Sequence, residues 1–137
     1  MTTQQSGGCI CGAIRYEFSA DPIAAVHCHC TDCQKATGSG FATVFGLSIE
    51  QVALFGKETL SDYTLSAASG QTVTREFCSH CGSQLFTEAQ NNPGFLWIKA
   101  GSLDNSDWLQ PSAACWTGSA RSWAPAAASH YCPGSLP

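Results

Sequence analysis

The sequence predicts a mainly β fold, and three observations carry that expectation. Short segments rich in β-branched and aromatic residues recur along the chain. Glycine- and proline-bearing turns separate them, and closely spaced cysteines stand at their ends. At 137 residues the chain has the length of one ordinary domain, 1–137, with a core over about 7–125 and a C-terminal tail over 111–137. A domain of that size buries most of its apolar surface without a covalent staple. With 44% hydrophobic and only 12% charged residues, the composition excludes a disordered chain.

Residues 13–18 alternate apolar and polar side chains in the manner of a half-buried strand. Residues 23–28 form a second short strand that runs into a cysteine cluster. Thr31 and Asp32 are placed to cap a short helical segment through Thr37, ended by Gly38 and Gly40. Segments 41–47, 71–77, 83–87 and 95–101 read as strands, and 48–54 as one or two helical turns. Turns fall at Gly7-Gly8, Gly12, Gly82, Asn91-Asn92-Pro93-Gly94 and Pro133-Gly134. Gly12 and Gly82 each follow a cysteine pair, where a metal-binding knuckle turns the backbone sharply. Many short strands with turns between them imply antiparallel β-sheets. The Ala/Ser/Pro-rich tail carries Trp116 and Trp123, which are expected to pack back on the domain, to cover a pocket or to meet a partner subunit, so the chain is a monomer or a homodimer.

The net charge of -4 and the lack of any basic run exclude nucleic-acid binding by phosphate neutralisation. No apolar run is long enough to span a bilayer. The polar opening Met1-Thr2-Thr3-Gln4-Gln5-Ser6 has no basic, apolar leader pattern. Nine cysteines in such a chain point to a reducing, cytoplasmic compartment and to metal or catalytic roles.

Seven of the nine fall in three clusters: Cys9-x-Cys11, Cys28-x-Cys30-x-x-Cys33 and Cys78-x-x-Cys81. One turn of backbone can deliver two thiolates to a tetrahedral Zn²⁺, so Cys9, Cys11, Cys78 and Cys81 make a natural closed set of four. Cys28, Cys30 and Cys33 make only three. Three protein ligands and one open position is the layout of a catalytic zinc site. An all-sulfur shell favours a soft fourth ligand such as an incoming thiolate. His27 and His29 flank this cluster and are candidates for a fourth ligand or for a partner to the ligands. Competing readings are disulfides, a purely structural triad closed by a histidine, a redox pair at Cys78/Cys81, and one shared six-thiolate, two-zinc cluster; spacing alone does not decide which pair joins which. Cys115 and Cys132 stand apart and read as small buried hydrophobes, and His80 as a solvated side chain.

These motifs resemble those of the glutathione-dependent formaldehyde-activating enzyme family. The likeness lies in Gly7-Gly8-Cys9-x-Cys11-Gly12-Ala13-Ile14-Arg15-Tyr16, in His27-Cys28-His29-Cys30-Thr31-Asp32-Cys33-Gln34-Lys35-Ala36-Thr37-Gly38, and in Arg75-x-Phe77-Cys78-x-x-Cys81-Gly82-Ser83-x-Leu85-Phe86. The resemblance implies a zinc-stapled antiparallel β structure, the β-tent, with two zinc ions per chain. It implies a structural zinc at Cys9, Cys11, Cys78 and Cys81, and a catalytic zinc at Cys28, Cys30 and Cys33. The implied activity is that of a carbon–sulfur lyase condensing formaldehyde with glutathione to S-(hydroxymethyl)glutathione, with a small-molecule thiol and an aldehyde as partners. The segment 115–123 is only loosely similar to the family's tail. A weaker echo, His130-Tyr131-Cys132-Pro133-Gly134-Ser135-Leu136, is similar to the catalytic end of zinc-containing methionine sulfoxide reductases and would require a reactive Cys132.

In the leading mechanism a glutathione-like thiol takes the open position, is held there as thiolate and attacks a small aldehyde. His29 or Thr31 is the candidate donor to the developing alkoxide, and Lys35, Arg75 and Arg121 are the candidate partners of the substrate carboxylates. The rival is a non-catalytic zinc-binding interaction module, as the family's centromere-associated relative suggests.

Overall fold

The computed structural model describes residues 3–128 and 130–134. Among the described residues, eleven strands and one α-helix follow one another: β1 (Gln5–Gly8), β2 (Arg15–Phe18), β3 (Ala24–Cys28), α1 (Thr31–Thr37), β4 (Ala42–Ser48), β5 (Ala53–Phe55), β6 (Leu60–Ser66), β7 (Thr72–Cys78), β8 (Gln84–Ala89), β9 (Phe95–Lys99), β10 (Ala113–Cys115) and β11 (His130–Tyr131). The mainly β expectation holds. A small sheet of order β1-β2-β5 faces a large sheet of order β11-β10-β3-β4-β9-β8-β7-β6.

Alternation along each strand divides the large sheet into two faces. Ala25, Phe45 and Ile98 sit side by side in register and turn toward the small sheet, where they join Tyr16, Phe18, Ile14 and Phe86 in the main core. Tyr16 is fully buried, and its hydroxyl is satisfied by Ser102 Oγ at 2.7 Å. The opposite face carries Val26, Val44, Cys115 and Cys132 in a second cluster, with Trp97 and Trp116 packed on it. Gly46 opens that face: a Cβ there would stand 2.9 Å from the Trp97 ring, so glycine lets the indole lie across the sheet.

Two expectations need correction. The sheets are not wholly antiparallel, because β10 runs parallel to both β3 and β11. The tail returns along the sheet edge in the direction of β3, which local sequence does not encode. Segment 48–54 is a single 3₁₀ turn at Ile49–Gln51 followed by β5, since the Ser48–Gln51 capping box supports only one turn before the chain extends. The tail does pack back. Trp116 joins the second cluster, while Trp123 stays 71% exposed over Gly40.

Candidate metal centres

Two groups of thiols come together among the described residues, Cys9/Cys11/Cys78/Cys81 and Cys28/Cys30/Cys33, and in each the sulfurs lie within 4.8 Å of one another. They are separate groups, so a shared six-thiolate cluster is not what the fold builds. All nine cysteines are free thiols, which removes the disulfide reading for the pairs in this structure.

The first group joins the turn after β1 to the end of β7. Cys9 Sγ to Cys11 Sγ is 3.6 Å, and Cys11 Sγ to Cys78 Sγ is 3.8 Å. A tetrahedral ion with Zn–S bonds of about 2.3 Å requires sulfur–sulfur edges of about 3.8 Å. Backbone N–H groups of Ile14 and Cys81 point at Cys9 Sγ and Cys78 Sγ, at 3.3 and 3.5 Å, as thiolates need. Gly12 and Gly82 take φ of 80° and 77°, and their N–H groups close the two knuckles on the Cys9 and Cys78 carbonyls. Ser83 bonds to Cys81 Sγ at 3.2 Å and holds that thiol down to about 5. The donor set and spacing fit a tetrahedral metal ion.

The second group is assembled where β3 runs into α1. Cys28 is the last residue of β3, Cys30 is the N-cap of α1, and Cys33 sits in its first turn. The helix is not capped by Thr31 or Asp32, as the sequence suggested. Cys30 Sγ instead accepts the Cys33 N–H at 3.2 Å, so a candidate metal ligand also performs the capping. Hydrogen bonding with Cys28 and Cys30 draws Cys33 down to about 2, while the same contacts push Cys28 far above the usual thiol range. The three thiols oppose one another's ionisation, and a divalent cation would let all three ionise.

This triad borders a cavity of about 510 Å³ on the outer face of the large sheet. Val26, Val44, Val73 and Trp97 floor it, and Arg75 and Lys99 stand at the triad's end. Arg75 Nη2 lies 3.7 Å from Cys33 Sγ. Burial works against the Arg75 charge, but the Cys33 sulfur outweighs it and the net shift is upward. Lys99 donates to Thr87 Oγ1 at 3.3 Å; burial lowers its pKa, opposed by the charge of Cys33.

Of the expected substrate cations, only Arg75 reaches the cavity. Lys35 is exposed on α1, and Arg121 donates to Gln34 Oε1 at 3.0 Å; neither lines the cavity. Lys99 was missed, because its position follows only from the β4–β9 register that sets it beside Val44. Thr31 borders the cavity. His29 does not: it is fully buried, its ring packs 4.9 Å from that of Phe41, and neither ring nitrogen has a hydrogen-bond partner among the described residues. His27 bonds through Nδ1 to Thr43 Oγ1 at 2.8 Å. Neither histidine joins the metal group, because both rings turn toward β4 and Phe41. Cys115 and Cys132 are buried, as expected of hydrophobes, but they lie together. The echo around Cys132 extends to Ser135-Leu136, which are outside the described residues.

Comparison with known proteins agrees with this geometry. A crystal structure of a Rhodobacter sphaeroides protein shares the fold, with a TM-score of 0.59, 21% identity, and coverage of 73% of this chain and 88% of the other. A Halomonas elongata protein named "Putative glutathione-dependent formaldehyde-activating enzyme" is 32% identical over 109 residues, spanning 77% of this chain and 68% of its own. The family model for the glutathione-dependent formaldehyde-activating enzyme matches residues 4–119, which include all seven clustered cysteines. The chain belongs to the glutathione-dependent formaldehyde-activating enzyme family.

Proposed function

We propose that this protein is a zinc-dependent carbon–sulfur lyase of the reducing cytoplasm that joins a glutathione-like thiol to a small aldehyde such as formaldehyde, and reverses that step. One observation carries the reading: an incomplete trio of thiols, Cys28, Cys30 and Cys33, borders a cavity that is also lined by two half-buried cations, Arg75 and Lys99. Cys9, Cys11, Cys78 and Cys81 hold a structural zinc; Cys28, Cys30 and Cys33 hold the catalytic one. Zinc in the second site supplies the Lewis acidity that keeps a substrate thiol ionised near neutral pH.

The chain's own residues do the rest. Arg75 Nη2 and Lys99 Nζ place two positive charges beside the sulfur cluster and offset its excess negative charge. Val26, Val44 and Trp97 give the cavity an apolar floor near the sulfurs. As the thiolate sulfur bonds to the aldehyde carbon, the carbonyl π bond opens and its oxygen takes a proton. Lys99 Nζ and the Thr31 hydroxyl are the donors that border the cavity for this role. In reverse, loss of that proton expels the thiolate and frees the aldehyde.

Exchange NMR on formaldehyde–glutathione mixtures, with metal counted per chain, tests the reading. The loaded protein is expected to bind two zinc ions and to accelerate interconversion of free and thiol-bound formaldehyde. Cys30→Ser is expected to lose one ion and that acceleration. Two ions and full acceleration in Cys30→Ser would refute the site. A wild type that binds zinc but neither binds thiol nor accelerates exchange would favour the interaction module.

A further inference from the structure

Cys115 and Cys132 serve neither metal group, yet the fold brings them together from opposite sides of the tail. Cys115 ends β10, and its Cα partner on β3 is Cys28. On its other side β10 pairs in parallel with β11, Ala114 opposite Tyr131, so the next register step sets Cys115 beside Cys132. The pairing persists to that point. Cys132 N–H donates to the Ala114 carbonyl at 2.7 Å, and Thr117 N–H to the Cys132 carbonyl at 3.2 Å. Both side chains are buried in one cluster with Val26 and Val44. Paired strands lie about 4.7–4.9 Å apart, within the Cα span of a disulfide of about 4.4–6.8 Å. Only Cys115 borders the cavity.

We propose that Cys115 and Cys132 form a reversible disulfide, a modification site whose oxidant is a low-molecular-weight disulfide such as glutathione disulfide, admitted through the cavity. The Cys115 thiol, on losing its proton, attacks one sulfur of that disulfide. The S–S bond breaks, one glutathione leaves as thiolate and takes up the proton, and a mixed disulfide stays on Cys115. Cys132 then attacks the Cys115 sulfur, and the second glutathione leaves with the proton from Cys132. Two protein thiols are oxidised, and one glutathione disulfide is reduced to two glutathiones. The bond would tie the strap 116–121 and β11 to the sheet edge. That strap already meets α1 through Gln34 Nε2 to the Ser119 carbonyl at 3.0 Å and Arg121 Nε to Gln34 Oε1. The inference rests on the tail geometry and on Cys115 bordering the cavity, and it stands apart from the lyase reading.

The test is disulfide mapping of the full, metal-loaded chain equilibrated across glutathione/glutathione disulfide ratios, with acid quench and alkylation in denaturant. Trypsin cleaves after Lys99 and Arg121, which puts Cys115 in peptide 100–121 and Cys132 in peptide 122–137. The expected result is one cross-link between these two peptides, with loss of two hydrogens and unchanged zinc content. In Cys132→Ser, glutathione should remain attached at Cys115. The proposal is overturned if both thiols stay alkylatable at every ratio, if glutathione accumulates on wild-type Cys115 without the cross-link, or if Cys115 bonds to Cys28 and a metal ion is released.

Discussion

Lys99 occupies an unremarkable place in the sequence and a demanding one in the fold. Its ammonium stands near the sulfurs of Cys28, Cys30 and Cys33, with burial and the Arg75 cation opposing its own charge. Such a cation is retained only where negative charge surrounds it. Lys99→Met keeps the aliphatic stem and removes the charge, so it is expected to weaken thiol binding by roughly 1.5–3 kcal/mol, about ten- to a hundredfold, in a calorimetric titration of the zinc-loaded protein. Lys99→Arg should recover part of this, while Lys35→Met, on the exposed face of α1, should change nothing measurable. The contrast explains which residues were legible in the sequence. The clustered cysteines sit two or three positions apart, so each pair's geometry is local and its spacing reveals it. Lys99 faces the triad only through strand pairing, and Cys30 caps α1 only because sulfur takes a role that hydroxyls and carboxylates usually fill.

At the scale of elements, β7 carries a conflict among carboxylates. Glu76 is half-buried, its Oε1 has no hydrogen-bond partner, and Glu88 and Asp62 lie close by on β8 and β6. Burial first, and Glu88 next, push the Glu76 carboxyl up to about 8. The folded state therefore holds a proton that the unfolded chain releases near pH 4.5. Where the native state binds more protons, stability falls as pH rises, here between about 4.5 and about 8. Glu76→Gln is expected to flatten that part of the profile and to raise stability at pH 8 by on the order of 1 kcal/mol, the full shift being discounted for partial exposure. Urea unfolding at pH 5 and pH 8 would measure it, and an unchanged slope in Glu76→Gln would reject the assignment. Strands with strong apolar alternation, β2, β3, β4, β7, β8 and β9, were legible to within two residues, as was α1. The short or polar strands β1, β5, β6, β10 and β11 were not, because tertiary pairing rather than side-chain preference makes them extended.

Across the whole molecule the two cysteine groups, once metal-loaded, would do different mechanical work. Cys9 and Cys78 belong to the main core between the sheets, and the contact from Cys11 to Cys78 spans 67 positions of chain. An ion there closes a long loop and ties the small sheet to β7, so its binding energy is also folding energy. Cys28, Cys30 and Cys33 lie within one strand–helix junction, and closing so short a segment removes little freedom from the unfolded chain. Cys78→Ser should therefore lower the melting temperature by more than about 10 °C, with loss of one ion. Cys30→Ser should also lose an ion but lower it by less than about 5 °C, because serine is itself a favoured N-cap and preserves the start of α1. Scanning calorimetry with zinc analysis on both variants, with and without chelator, measures the difference. Equal destabilisation would mean that both sites brace the fold alike. The expected inequality would leave the triad free to exchange its fourth ligand without loosening the sheets that hold Arg75 and Lys99 beside it.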